Sequence, residues 1–169
     1  MSSYYSAFEK VVGHEGGFTA NPKDRGNWTS GKIGIGELKG TKYGISAMSY
    51  PHLDIRNLTL AQAQAIYKTD FWDRVRGDEL DPAVAFNVFD GAVNSGVTRS
   101  IEWLQEAVGA TADGIIGPRT LADVRRRTPA EIIARYNSRR LLFLTQLNAT
   151  AWREFGRGLV ARVAQNLQV

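Results

Sequence analysis

Cysteine is absent from this 169-residue chain, so neither a disulfide framework nor a thiolate metal site can hold it together. Histidine is scarce too: His14 and His52 alone make a poor ligand set, and neither a metal nor any other cofactor is expected. No apolar run approaches the roughly 20 residues that cross a bilayer. The N-terminal residues, Met-Ser-Ser-Tyr-Tyr-Ser-Ala-Phe-Glu-Lys, lack the basic start and apolar stretch of a secretory signal, so the chain is expected to stay where it is made. Internal repeats, low-complexity tracts and Pro/Gly/Ser-rich linkers are also missing, which predicts one compact domain over residues 1–169.

With 43% hydrophobic and 22% charged residues, the chain can bury a sizeable core. Its formal charge of +4 favours polyanionic partners. Ten arginines lie between Arg119 and Arg162 against Asp123, Glu131 and Glu154, which predicts an electropositive C-terminal face. No aromatic interleaving or nucleic-acid motif accompanies them, so an anionic wall or envelope surface is the expected partner, and not nucleic acid.

Tyr4, Tyr5, Phe8, Val11 and Val12 follow one helix face, with Gly16-Gly17 as the stop; on this rhythm Glu15 continues the apolar stripe, and His14 points about 100 degrees away from it. From Phe18 to Gly44 glycine, asparagine, lysine and aromatics dominate, and the alternation Lys32-Ile33-Gly34-Ile35-Gly36 suits a small hairpin or an irregular ribbon. Beyond His52 the chain reads as helices. Thr59 with Gln62 forms a capping box, Asp81-Pro82 a cap with proline at N1, and Thr128-Pro129-Ala130-Glu131 both together. Gly96 and Gly109 close helices, and a final helix from about Ala151 carries Trp152, Phe155, Leu159 and Val163 on one side. Trp72, Trp103 and Trp152 stand among apolar neighbours and are expected in the core.

A carboxyl on the apolar side of a helix end is partly desolvated, which raises its pKa and suits Glu15 to act as a general acid on a glycosidic oxygen; a carboxyl bonded inside the core is the alternative. Asp24 follows across a turn-prone stretch that could present a second carboxylate, and the hydroxyls of Thr29, Ser30 and Thr41 could orient a water. Trp28 and Tyr43 offer aromatic faces to sugar rings or cap a small core. Asp90 and Asn94, spaced i, i+4 on an apolar helix, either line the far wall of a cleft or form a hydrogen-bonded pair.

Three elements in order, Gly13-His14-Glu15-Gly16-Gly17-Phe18, Asn21-Pro22-Lys23-Asp24-Arg25-Gly26-Asn27-Trp28-Thr29 and Gly40-Thr41-Lys42-Tyr43-Gly44-Ile45-Ser46, closely resemble the signature of glycoside hydrolase family 108. Its members are phage endolysins and related bacterial N-acetylmuramidases. The resemblance implies that the acid is the glutamate of Glu-Gly-Gly, here Glu15. Downstream, Asn87 to Gly96, Trp103-Leu104-Gln105, Asp113 to Leu121 and Phe155 to Val163 resemble the predicted peptidoglycan domain that usually follows. This chain departs from many relatives by the longer connection Asn27 to Gly40, which leaves both Thr29 and Thr41 as candidates for the family's threonine, and by Leu159 where relatives often carry tryptophan. The spacing of Glu15, Asp24 and Ser30 also resembles the triad of phage-type lysozymes.

The resemblance implies a mainly α, lysozyme-like helical body with a small β-hairpin or loop-rich segment near the N-terminus, residues 1–90 forming the catalytic region and 91–165 the peptidoglycan-domain region. Glu15, Asp24 and Thr29 are the implied catalytic residues; Trp28, Tyr43, Thr41, Asp90 and Asn94 are candidate substrate contacts. The expected activity is an endolysin's cleavage of the β-1,4 bond between N-acetylmuramic acid and N-acetylglucosamine. A monomer is expected, made in a host cytoplasm, acting on periplasmic peptidoglycan, and reaching it through a separate holin. A lytic transglycosylase and a non-catalytic wall-binding protein are the alternatives.

Overall fold

A computed structural model describes residues 3–13 and 17–168. Its elements in chain order are α1 (Ser3–Val11), a two-stranded antiparallel sheet of β1 (Thr41–Lys42) and β2 (Ile45–Ser46), α2 (Leu60–Tyr67), α3 (Pro82–Ser95), α4 (Val97–Val108), α5 (Pro118–Arg125), α6 (Pro129–Thr145), α7 (Ala149–Ala151) and α8 (Arg157–Asn166). Short 3-10 turns lie at Arg25–Asn27 and Gly77–Glu79, and π turns at Lys68–Trp72 and Trp152–Gly156. The chain divides into two compact units, Phe8–Thr69 and Met1–Ala7 with Asp70–Val169.

Local capping sets the helix starts. The side chains of Thr59 and Thr128 each accept the N3 amide while Gln62 and Glu131 bond back to the caps, and Asp81 caps α3 ahead of Pro82. Helix α1 ends earlier than the glycine pair suggested: Val12 and Gly13 both donate to Phe8 O, and Gly13 takes φ +71, the left-handed conformation that closes a helix. Glu15, which the helical rhythm placed on the apolar stripe, lies with His14 and Gly16 outside the described residues.

In the smaller unit, Phe8 and Tyr67 meet edge to face with centroids 5.5 Å apart, over buried Ile45, Ala47, Ile55, Leu58 and Ala63. The β pairing falls at 41–46, in the register Thr41↔Ser46 and Lys42↔Ile45. Lys32 to Gly36 is instead the tip of an irregular ribbon. Gly31, Gly34 and Gly36 all have positive φ there, and Ile33 and Ile35 are exposed.

The larger unit is helical. Tyr4, Trp72 and Phe89 pack as a triangle of aromatic rings with centroids 5.5–6.1 Å apart. Trp72 and Trp103 are core residues as expected, but Trp152 is 40% and Phe155 58% exposed. The reason is the π turn at Trp152–Gly156: it rotates the register of the terminal helix, so of its four apolar residues Val163 alone becomes buried.

A polar ladder crosses this core. Asn87 and Asp90 on α3 face Asn137 and Arg140 on α6: Asn137 Nδ2 donates to Asn87 Oδ1 (2.8 Å) and Arg140 Nη2 to Asp90 Oδ2 (2.7 Å). From α8, Arg162 Nε donates to Asp90 Oδ1 and Asn166 Nδ2 to Asp90 Oδ2 (2.8 Å). Ser100 on α4 bonds both Val88 O (2.6 Å) and the Tyr136 hydroxyl (2.7 Å). Among the described residues no buried side-chain polar atom lacks a partner.

Asp90→Ala removes the carboxylate on which two guanidinium groups converge and leaves the buried one of Arg140 uncompensated. Urea unfolding should show a loss of about 3–5 kcal/mol; a loss below about 1 kcal/mol would mean that the cluster does not hold the helices together.

Candidate functional site

The loop-rich part of the smaller unit is organised around one buried side chain, Asn27. Its Nδ2 donates to Asn21 O (3.1 Å) and its Oδ1 accepts from the Thr41 hydroxyl (2.7 Å). Its own amide donates to Asp24 O (3.2 Å), and its carbonyl accepts the amides of Lys39 and Gly40 (3.0 Å each). A buried amide must be satisfied. Here that requirement binds the Asn21–Asp24 turn to the entrance of β1.

Two further links complete the frame. Thr19 and Thr41 exchange backbone bonds of 2.8 and 2.9 Å, which joins the residues just after Glu-Gly-Gly to Thr41. Gly40 sits at this crossing with φ +85, and a Cβ there would run into Thr19 O and the Phe18 ring, so only glycine fits.

On this frame, Asp24 is the N-cap of the 3-10 turn, its Oδ1 accepting from Gly26 N (2.8 Å) while the side chain stays exposed. The half-buried Trp28 is fixed by its indole Nε1, which donates to Pro22 O (2.9 Å) across the same turn. The structure thus brings Asp24, Trp28 and Thr41 together through Asn27. Tyr43 follows on the hairpin turn with φ +51, an uncommon conformation for a bulky residue. Its carbonyl accepts from the Tyr67 hydroxyl (3.1 Å), whose pKa burial pushes up to about 12. The Lys42 ammonium stands 5.5 Å from the centroid of the Tyr43 ring.

Thr29 and Ser30 both bond the ribbon. Thr29 Oγ1 accepts from Glu37 N (3.0 Å), and Ser30 Oγ donates to Ile35 O (2.7 Å) while accepting from Lys32 N (3.1 Å). Asp90 and Asn94 belong to the larger unit. The Asp90 side chain is 1% exposed and its oxygens are filled by arginine and asparagine donors, so it closes the core and offers no surface to a ligand. The hydrogen-bonded reading of the pair applies: Asn94 Nδ2 donates to Asp90 O (2.8 Å) and Oδ1 (3.2 Å).

Sequence reasoning misses Asn27, although it stands in the Asp-x-Gly-Asn-Trp-Thr element. The one available signal was an amide beside a tryptophan and next to a turn. Each unit also contains a hollow. One of about 380 Å³ in the smaller unit is lined by Phe18, Lys39, His52 and Arg56 among others, with the Arg56 guanidinium 4.5 Å from the centroid of the Phe18 ring. A larger cavity of about 880 Å³ lies in the helical unit and includes Asn94 in its wall. Among the described residues no group of three or more His, Cys, Asp or Glu could hold a metal ion.

Comparison with known proteins gives two family matches. Residues 8–96 match the family described as Glycosyl hydrolase 108, and residues 99–164 the one described as Predicted Peptidoglycan domain. Among solved structures, SagA of Brucella abortus is similar, with a TM-score of 0.79 and 30% identity over 98% of this chain and 92% of that one. No curated protein matches.

Asn27→Ala should cost about 1–3 kcal/mol by removing the partner of a part-buried hydroxyl and a carbonyl. The loss should be local, with faster hydrogen exchange at the Lys39, Gly40 and Thr41 amides than in α4 and α6. Uniform acceleration across both units would contradict an organising role confined to the loops.

Proposed function

The chain belongs to glycoside hydrolase family 108, and from that premise we propose that it hydrolyses the β-1,4 bond between N-acetylmuramic acid and N-acetylglucosamine, with Glu15 as the general acid. A family 108 catalytic region joined to a peptidoglycan domain makes this a glycoside hydrolase of peptidoglycan on a mainly helical, lysozyme-like fold. The reading of the site rests on one observation, the Asn27 clasp. It holds the exposed Asp24 carboxylate, the Trp28 ring and the Thr41 hydroxyl on one frame, and the Thr19–Thr41 bridge ties that frame to the chain just after Glu15.

In this mechanism Glu15 protonates the leaving glycosidic oxygen. Asp24 uses one oxygen for its turn and presents its exposed carboxylate to a water or to the positive charge that develops on the sugar. We place the assisting hydroxyl at Thr41 and not at Thr29, because Thr41 bonds the Asn27 side chain that also ties down the Asp24 turn, whereas Thr29 bonds the Glu37 amide on the ribbon. Trp28 and Tyr43 are the proposed sugar-stacking residues. The biological role proposed is that of an endolysin, monomeric, made in a host cytoplasm and reaching periplasmic peptidoglycan when a separate holin opens the membrane. Lysis that depends on a co-expressed holin is the expected outcome in a Gram-negative host.

Mass spectrometry of fragments from purified peptidoglycan, before and after borohydride reduction, tests the bond. Reducible muramic acid ends are expected. Glucosamine ends would replace the reading with a glucosaminidase, anhydro-muramic ends with a transglycosylase, and no fragments with a wall-binding protein.

Glu15→Gln should lower kcat by several orders of magnitude with little effect on stability, since the substitution keeps shape and removes the proton. Asp24→Asn is the sharper probe: its amide oxygen can still cap Gly26, so a loss of about 100-fold or more reports on charge and not on the turn. Full activity in Asp24→Asn would exclude Asp24 from the chemistry.

A further inference from the structure

The 880 Å³ cavity of the helical unit lies between α3, α4, α6 and the terminal helix, and neither the fold nor the proposed chemistry accounts for it. Its volume is that of a small-molecule site. Its lining is largely apolar: Phe143 from α6 and Leu147 just beyond that helix are half-buried, Leu159 follows from α8, and Phe155 is 58% exposed. Two guanidinium groups stand in this wall, those of Arg99 and Arg162.

Arg99 is held in place. Its guanidinium lies 4.4 Å from the centroid of the Phe143 ring, its Nη1 donates to Ser95 O (3.1 Å), and Phe143 itself packs against Trp103 at 5.5 Å. Arg162 is positioned from behind by Asp90. The cavity and the groups immediately behind it hold three arginines (Arg99, Arg140, Arg162) against Asp90 and Glu154, a surplus of one positive charge. Fixed guanidinium groups in an apolar lining suit a short ligand that combines carboxylates with small aliphatic side chains.

We propose that this cavity binds the acidic peptide stem that peptidoglycan carries on muramic acid. In a substituted strand the lactyl carboxyl of the sugar is consumed in the amide bond to the stem, so the carboxylates lie on the peptide, next to alanine methyl groups. That composition matches the arginines and the apolar lining. The inference rests on the peptidoglycan reading above and adds to it a second, non-catalytic contact, one that makes peptide-bearing glycan the preferred substrate.

The test is calorimetric titration of the whole protein with the free tetrapeptide L-Ala-γ-D-Glu-meso-diaminopimelate-D-Ala. Saturable 1:1 binding is expected, weakened about tenfold by Arg99→Glu through the loss of a charge-assisted contact. Phe155→Glu, at an exposed position where the fold tolerates a charge, should weaken it comparably. On intact and amidase-stripped peptidoglycan, Arg99→Glu should lower the ratio of kcat/KM for peptide-bearing over bare glycan. No saturable binding by the wild type, unchanged affinity in both variants, or binding that phosphatidylglycerol vesicles abolish would overturn the proposal. If neither substrate is cleaved, the catalytic reading fails, while the titration still decides the stem site.

Discussion

Burying the Asp90 carboxylate fixes much of what the helical unit can be. An ionised group taken out of water loses several kcal/mol of solvation, and the loss is made good only by close partners of the right geometry. Asp90 finds them on three helices: a neighbouring asparagine on its own α3, Arg140 on α6, and Arg162 with Asn166 on α8. None of these contacts has a substitute if a helix slides by one turn. The cluster therefore sets register more than it adds net stability, since a buried ion pair is seldom better than a well-packed apolar one. It also anchors the terminal helix, whose own apolar stripe is poorly buried beyond Val163.

The smaller unit meets the same requirement with a neutral group. Its loops have few helical or strand bonds, so their order comes from a buried asparagine whose side chain and backbone collect carbonyl, hydroxyl and N–H partners from two stretches of chain. Asn27 does for loops what Asp90 does for helices. A neutral hub carries a smaller desolvation cost and tolerates small movements of its partners, which suits a surface that must accommodate a polymer. The consequence is an exposed Asp24 and a half-buried Trp28 on a backbone that is firmly tied a few residues away.

What could be read from the sequence was local. The capping boxes at Thr59–Gln62 and Thr128–Glu131, the Asp81-Pro82 start and the Gly109 stop depend on residues three or four apart, and all appear where their spacing puts them. The irregular ribbon at Lys32–Gly36 was visible in its glycines, but the hairpin itself lay ten residues on, at Tyr43-Gly44. Failures came where tertiary geometry intervenes. Gly13 closes α1 ahead of the glycine pair, a π turn exposes Trp152, and Asp90 answers to partners up to 76 residues away. Thr29, Ser30 and Thr41 are alike as a list of hydroxyls, and only their hydrogen-bond partners separate them. The short family signature was the exception, because a motif identifies the family without any geometry being derived.

Net charge misleads in the same way when it is read as a surface property. Of the ten arginines in the C-terminal stretch, Arg140 is in the core and Arg162 points inward to Asp90, while Arg127 donates to Val108 O. Arg126 and Arg139 stand beside Asp123 and Glu106 at the surface, where such pairs contribute little and are screened by salt. The electropositive face that the count suggested is thus thinner than +4 implies. Positive charge is most effective where the side chain is already fixed, a condition that Arg99 meets beside Phe143. Recognition of an anionic polymer by this unit then depends less on the number of arginines than on which of them the packing leaves facing a cavity.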